Sequence, residues 1–118
     1  MDPIERVREI CLALPEATEQ EAWGEATFRV GGKMFAMADV NHHHSGHVAI
    51  WCKAPEGAQD VLVGSAPERF FIPPYVGKRG WIGIRLDGDG TDWDEVADLL
   101  CDSYRMTAPK KLVKRLDG

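Results

Sequence analysis

Histidines and cysteines are the residues from which metal centres and nucleophiles are most readily built, and this chain gathers all four of its histidines into one short run. His42, His43, His44 and His47 sit among Asn41, Ser45 and Gly46. Neutral imidazoles ligate zinc, copper or nickel. His43 and His47 are four residues apart, a spacing that turns two side chains the same way only on a helix. The run reads instead as a polar loop, Asp39 to Gly46, leading into a strand, and no cysteine is close enough in sequence to complete a four-ligand site. A solvated loop is expected, with a weak or adventitious metal site as the alternative.

Cys11, Cys52 and Cys101 are odd in number, far apart and without a CxxC pair. Each lies in an apolar-patterned segment, which predicts buried free thiols in a reducing compartment. No GxSxG, phosphate-binding P-loop or GxGxxG is present, and Gly77-Lys78-Arg79-Gly80 lacks the glycine spacing and the Ser or Thr of a phosphate cradle. Asp2, Glu5 and Glu9 fall near one face of an N-terminal helix, where oxygen ligands would attract a hard cation. Acids at a helix start also complement its dipole, so a solvated face is expected. Asp87-Gly88-Asp89-Gly90 resembles part of a calcium loop, but its twelfth position falls on Asp98 inside a helical pattern, which excludes that site. No catalytic residue and no cofactor are expected, and the chain is read as non-enzymatic.

The basic residues point elsewhere. Lys78 and Arg79 lie between Tyr75 and Trp81, pairing positive charge with flat rings. Arg29 and Lys33 flank Gly31-Gly32, a hairpin tip that can act as a wing. Lys110, Lys111 and Lys114 face outward on a C-terminal helix. Lysine and arginine meet phosphates, and aromatic rings stack on bases. The competing reading makes Trp81 a core residue and the bases solubilising. Net charge is −5, with ten acids against five bases in residues 1–60 and nine of each in 61–118. That total argues against nonspecific coating of nucleic acid while leaving room for a local basic face.

The elements that must position these residues follow from periodicity and punctuation. At 118 residues and 44% hydrophobic content, one domain, 1–118, is expected. No basic start with an apolar run marks a signal peptide, and no stretch is long enough to span a bilayer, so a cytoplasmic protein away from membranes is expected, with a monomer favoured. Asp2 caps a helix carrying Ile4, Val7, Ile10, Cys11 and Leu14 inward, stopped at Pro15. An acidic loop follows, with Glu16, Glu19, Glu21 and Glu25 interrupted by Trp23. Residues 26–30 and 33–38 form a hairpin around Gly31-Gly32. His47 to Cys52 alternates as a half-buried strand, and Pro55 to Val63 forms a short helix. Phe70 to Ile72 and Trp81 to Leu86 are strands about the basic loop Tyr75–Gly80. Asp92 and Glu95 open a helix with Val96, Leu99, Leu100 and Tyr104 inward, and a last helix turns Leu112, Val113 and Leu116 inward. An α+β fold results, an antiparallel sheet of about five strands with helices on one face.

Several separated runs share one resemblance. They are Leu14-Pro15-Glu16-Ala17-Thr18, the run from Phe28 to Ala36, the run from Gly80 to Asp87, Asp92-Trp93 and Ser103-Tyr104. Together, and in order over nearly the whole chain, they resemble the MmcQ/YjbR family of small bacterial proteins. The resemblance implies a CyaY-like α+β fold with a double-wing arrangement, and a DNA-binding role. It brings no catalytic residues. On this reading Arg29, Lys33, Lys78, Arg79, Lys110, Lys111 and Lys114 contact phosphates and Tyr75 offers a stacking ring. The alternatives are a protein-interaction or small-ligand module using the same loops, and a cation-binding protein using the histidines or acids.

Overall fold

Asp2 opens the fold as its sequence position predicts. In the computed structural model, which describes residues 2–40, 48–88 and 90–118, its carboxylate accepts the Ile4 amide at 2.8 Å. Pro3 then begins helix α1 (Pro3–Leu12), which buries Val7 and Cys11. The chain continues through β1 (Thr18–Ala22), β2 (Glu25–Val30), β3 (Lys33–Asp39), β4 (Ala49–Cys52), α2 (Ala58–Ser65) and β5 (Phe70–Phe71). A single 3-10 turn (Val76–Arg79), β6 (Ile82–Arg85), α3 (Trp93–Thr107) and α4 (Lys110–Asp117) complete it. Asp92 caps α3 by accepting the Glu95 amide at 3.1 Å.

The strands form one sheet in the order β1-β2-β3-β4-β6-β5, with every neighbouring pair antiparallel. The α+β class and the helix-covered sheet are therefore as expected, but the sheet has six strands among the described residues. The additional strand is β1, drawn from the segment expected to be an acidic loop. Its residues are exposed except for half-buried Ala22, so no apolar alternation marks it. A two-residue turn creates it: Trp23 and Gly24 both have positive φ, 55° and 76°, and Ala22 pairs with Glu25 across them.

The main core lies between the sheet and the helices. It joins Val7 and Cys11 of α1, Phe28, Phe35, Ile50 and Ile84 of the sheet, Val96, Leu100 and Tyr104 of α3, and Leu112 of α4. Tyr104 clamps it: its hydroxyl donates to the Pro15 carbonyl at 2.6 Å, and its ring meets Phe35 edge-on at 5.7 Å.

The opposite face of the sheet is also apolar. Met37, Trp51 and Trp81 are buried there, with Met34, Phe71 and Val76 packed around them. All four residues of β4 are consequently buried, whereas the alternation of His47 to Cys52 predicted one wet face. Trp51 is closed over by this second cluster, and its indole N–H donates to the buried Asp39 carboxylate at 3.1 Å. Trp81 is only 5% exposed, which settles it as core. Gly83 lies under the Phe71 ring, where an added side-chain carbon would stand 2.3 Å from Phe71 Cζ. Among the described residues no helix is long and apolar enough to cross a membrane.

Candidate functional site

Two concave features adjoin, one reaching the C-terminal end of α3 and the other lying over the second apolar cluster. The first is a cavity of about 540 Å³ lined by Lys33, Met34, Lys53, Val76, Arg79, Trp81, Met106 and Thr107. Three cations converge on it from three separate segments: the start of β3, the residue after β4 and the 3-10 turn. Each is held by local structure. Lys53 is anchored through its backbone, its amide donating to the Phe35 carbonyl at 3.3 Å and its own carbonyl lying 2.5 Å from the buried Ser103 hydroxyl. The turn bearing Arg79 is tied to α2 by Gln59, whose amide donates to the carbonyls of Gly77 at 2.8 Å and Trp81 at 2.7 Å. No acid among the described residues lines the cavity.

The second feature is an apolar cleft of about 350 Å³ lined by Trp23, Met34, Met37, Trp51, Tyr75 and Val76. Met34 and Val76 form walls of both, so charge and rings meet along one continuous surface. Trp23 and Tyr75 are 67% and 80% exposed. Both have positive φ. Tyr75, at φ 64° and ψ −64°, is the centre of a γ-turn closed by the Val76 amide donating to the Pro74 carbonyl at 2.7 Å.

Lys33, Arg79 and Tyr75, three of the expected site residues, are thus brought together. Lys78 neighbours Arg79 on the same turn and is exposed. Lys110, Lys111 and Lys114 project from α4, exposed. Pro109 at the start of that helix sits against the β2–β3 tip, 3.4 Å from where a side-chain carbon on Gly31 would lie. The Gly31-Gly32 tip joins the interior strands β2 and β3 and is exposed, with the start of α4 against one side of it. Arg29 lies half-buried across from Met34, its Nε donating to Thr27 Oγ1 at 3.1 Å, and lines neither concavity. Lys53, Met34 and Trp23 were not expected. Lys53 hides at the end of a strand pattern, and Trp23 sits in the segment read as loop. His42, His43, His44 and His47 lie outside the described residues.

Elsewhere several charges are paired. Glu5 and Glu19 both engage Arg8, Glu19 at 2.7 Å, so Glu5 of α1 serves structure, and no group of three metal-ligating side chains occurs among the described residues. A crevice of about 380 Å³ beside α3 contains both acids and arginines. Arg69 there binds Glu95 at 2.9 Å, and Arg85 donates to the Pro67 carbonyl at 2.7 Å. Arg105 pairs with Asp117 and Arg115 with Glu16. Lys33, Lys53, Lys78 and Arg79, in contrast, make no ion pair among the described residues. Burial pushes the Cys11 thiol far up and that of Cys52 up to about 12, so neither is a nucleophile near neutral pH. Cys101, expected buried, is half-exposed on α3.

The sequence profile of the YjbR family matches residues 12–106. The chain belongs to the YjbR family. The MmcQ/YjbR resemblance is thereby borne out. The matched region runs from the end of α1 almost to the end of α3; it contains every wall of the two concavities except Thr107 and leaves the lysines of α4 outside. No curated protein matches this YjbR chain. The crystal structure of a Deinococcus radiodurans protein described as a DUF419 domain is similar to it, with a TM-score of 0.74 at 21% identity over 87% of this chain and 76% of that one. At that identity the likeness is one of fold.

Proposed function

We propose that this YjbR protein is a non-catalytic nucleic-acid-binding protein that takes DNA phosphates at the Lys33–Lys53–Arg79 cavity. The observation that carries this reading is the convergence of three cations, without an acid among the described residues of the walls, in a chain whose net charge is −5. Elsewhere Arg8, Arg69, Arg105 and Arg115 are matched by carboxylates, so the cavity stands out as a cluster of cations alone. Phosphate oxygens are the group such a cluster best satisfies. Lys78 lies beside it, and Lys110 and Lys111 occupy the first turn of α4, where the helix dipole already favours an anion. The three cysteines are free, which fits a reducing compartment, and the proposal places the protein in the cytoplasm.

Bound phosphates displace condensed counterions, so affinity falls with salt. Three contacts give a slope of log K against log salt of about −2.7 on duplex or about −2 on a single strand. The acidic remainder of the surface keeps the dissociation constant near the nonspecific range of roughly 10⁻⁴–10⁻⁶ M. Titration of labelled oligonucleotide at several salt concentrations checks this, beside the double variant Lys33→Ala/Arg79→Ala. The variant is expected to weaken binding alike on all sequences and to make the slope shallower by nearly two-thirds. Binding indifferent to salt and to the double change removes the reading.

A further inference from the structure

Two exposed rings beside a basic cavity raise the question of what kind of nucleic acid fits. In a duplex the bases present only their edges, and their faces are covered by their neighbours. A ring platform is useful only to a base that has left the stack. Here the platform is contiguous with the cationic cavity, because Met34 and Val76 wall both concavities.

The backbone beneath the rings strengthens the case. Bulky L-residues are disfavoured at positive φ. Only three non-glycine residues among those described adopt it, Glu16, Trp23 and Tyr75, and two of these three line the same cleft. Trp23 occupies the first position of a two-residue hairpin turn, where Asn, Asp or Gly is favoured. Folding alone gives no reason to place an indole there and leave it 67% exposed. Strain held at exposed aromatic positions is a feature of binding sites.

We infer that the strand bound is single, with an unstacked base laid on the cleft between Trp23 and Tyr75 and its phosphate in the Lys33–Lys53–Arg79 cavity. This rests on the nucleic-acid reading above and specifies it. Met34 and Met37 form an adaptable floor, since an unbranched thioether side chain adjusts to rings of different outline. The contact is with base faces, so little sequence preference is expected.

The test compares a short labelled oligothymidylate with a duplex of equal length at one low salt concentration, with unlabelled thymidine 5′-monophosphate as competitor. The single strand is expected to bind more tightly than the duplex and the mononucleotide. Trp23→Asn and Tyr75→Ala are each expected to weaken single-strand binding by about 5- to 150-fold, the range for loss of one stacked base. Trp23→Asn is expected to melt at the same temperature as the parent or higher, because it relieves the turn. Trp23→Phe keeps a ring and is expected to retain binding while losing most of the quenching of tryptophan fluorescence. Duplex bound as tightly as single strand, with both variants unimpaired, overturns this inference and leaves the phosphate reading standing. A mononucleotide competing at the affinity of the oligomer overturns the strand and points to a nucleotide pocket. Absence of binding to either polymer at low salt removes both readings.

Discussion

A thiol attacks as thiolate, so the fate of each cysteine is set by how well its surroundings tolerate charge. Cys11 and Cys52 are fully buried, and burial is the leading cause of the raised values of both, with the Cys52 thiol up to about 12. Near neutral pH both stay protonated in the folded protein. The unfolded chain ionises near the ordinary value of 9.0; as pH rises above it, the unfolded state gains charge that the folded state resists, and stability falls through the interval up to about 12. Cys101 is half-exposed on α3. Treatment of the native protein with a disulfide reagent at neutral pH is expected to modify Cys101 quickly and the other two only as the chain unfolds. Cys101→Ser should then show no fast phase, and three equal rates would contradict the burial described. The sequence reads all three as buried because each sits in an apolar pattern. Cys101 departs from this because it lies next to, and not on, the stripe that buries Val96, Leu100, Ser103 and Tyr104.

At the scale of elements, the two faces of the sheet depend on different kinds of packing. On the outer face Phe71 lies flat over Gly83, with the Arg85 guanidinium 5.0 Å from its ring. A methyl group at residue 83 must push that ring aside. Gly83→Ala is expected to cost about 1–3 kcal/mol in urea denaturation, as overpacking does. Adding Phe71→Ala should recover part of the loss, because the two changes share one space. A neutral Gly83→Ala would mean that the ring moves freely. This arrangement was not legible beforehand, and neither was the cluster of Met37, Trp51 and Trp81, because its members come from three separate segments and are joined only by the fold. The helices were legible, since Asp2 and Asp92 announce their starts within a few residues. β1 was not: Thr18 to Ala22 shows no alternation, and what makes it a strand is the turn at Trp23-Gly24. Of the candidate site, Lys33, Arg79 and Tyr75 stood out as cations and a ring beside glycines. Lys53 did not, because its role comes from where β4 ends relative to the 3-10 turn.

Across the whole molecule, carboxylates outnumber cations by five, and part of that excess lies along one margin of the sheet. Glu19 and Glu21 belong to β1, which pairs with β2 alone. The other margin of the sheet is β5, only two residues long. A free margin carries unsatisfied amides and carbonyls that can template a strand from another chain, and charge along it discourages such growth. The acidic segment therefore acts as an insulator: it lets the sheet stop. Replacing Glu19 and Glu21 together by threonine would leave a neutral, strand-favouring margin of Thr-Thr-Gln-Thr-Ala. That variant is expected to self-associate with rising concentration in sedimentation velocity while its circular dichroism stays native. A double variant that sediments as the parent does would mean that something other than charge closes this margin. The same negative charges that repel any polyanion thus also keep copies of this protein from adding to one another's sheets.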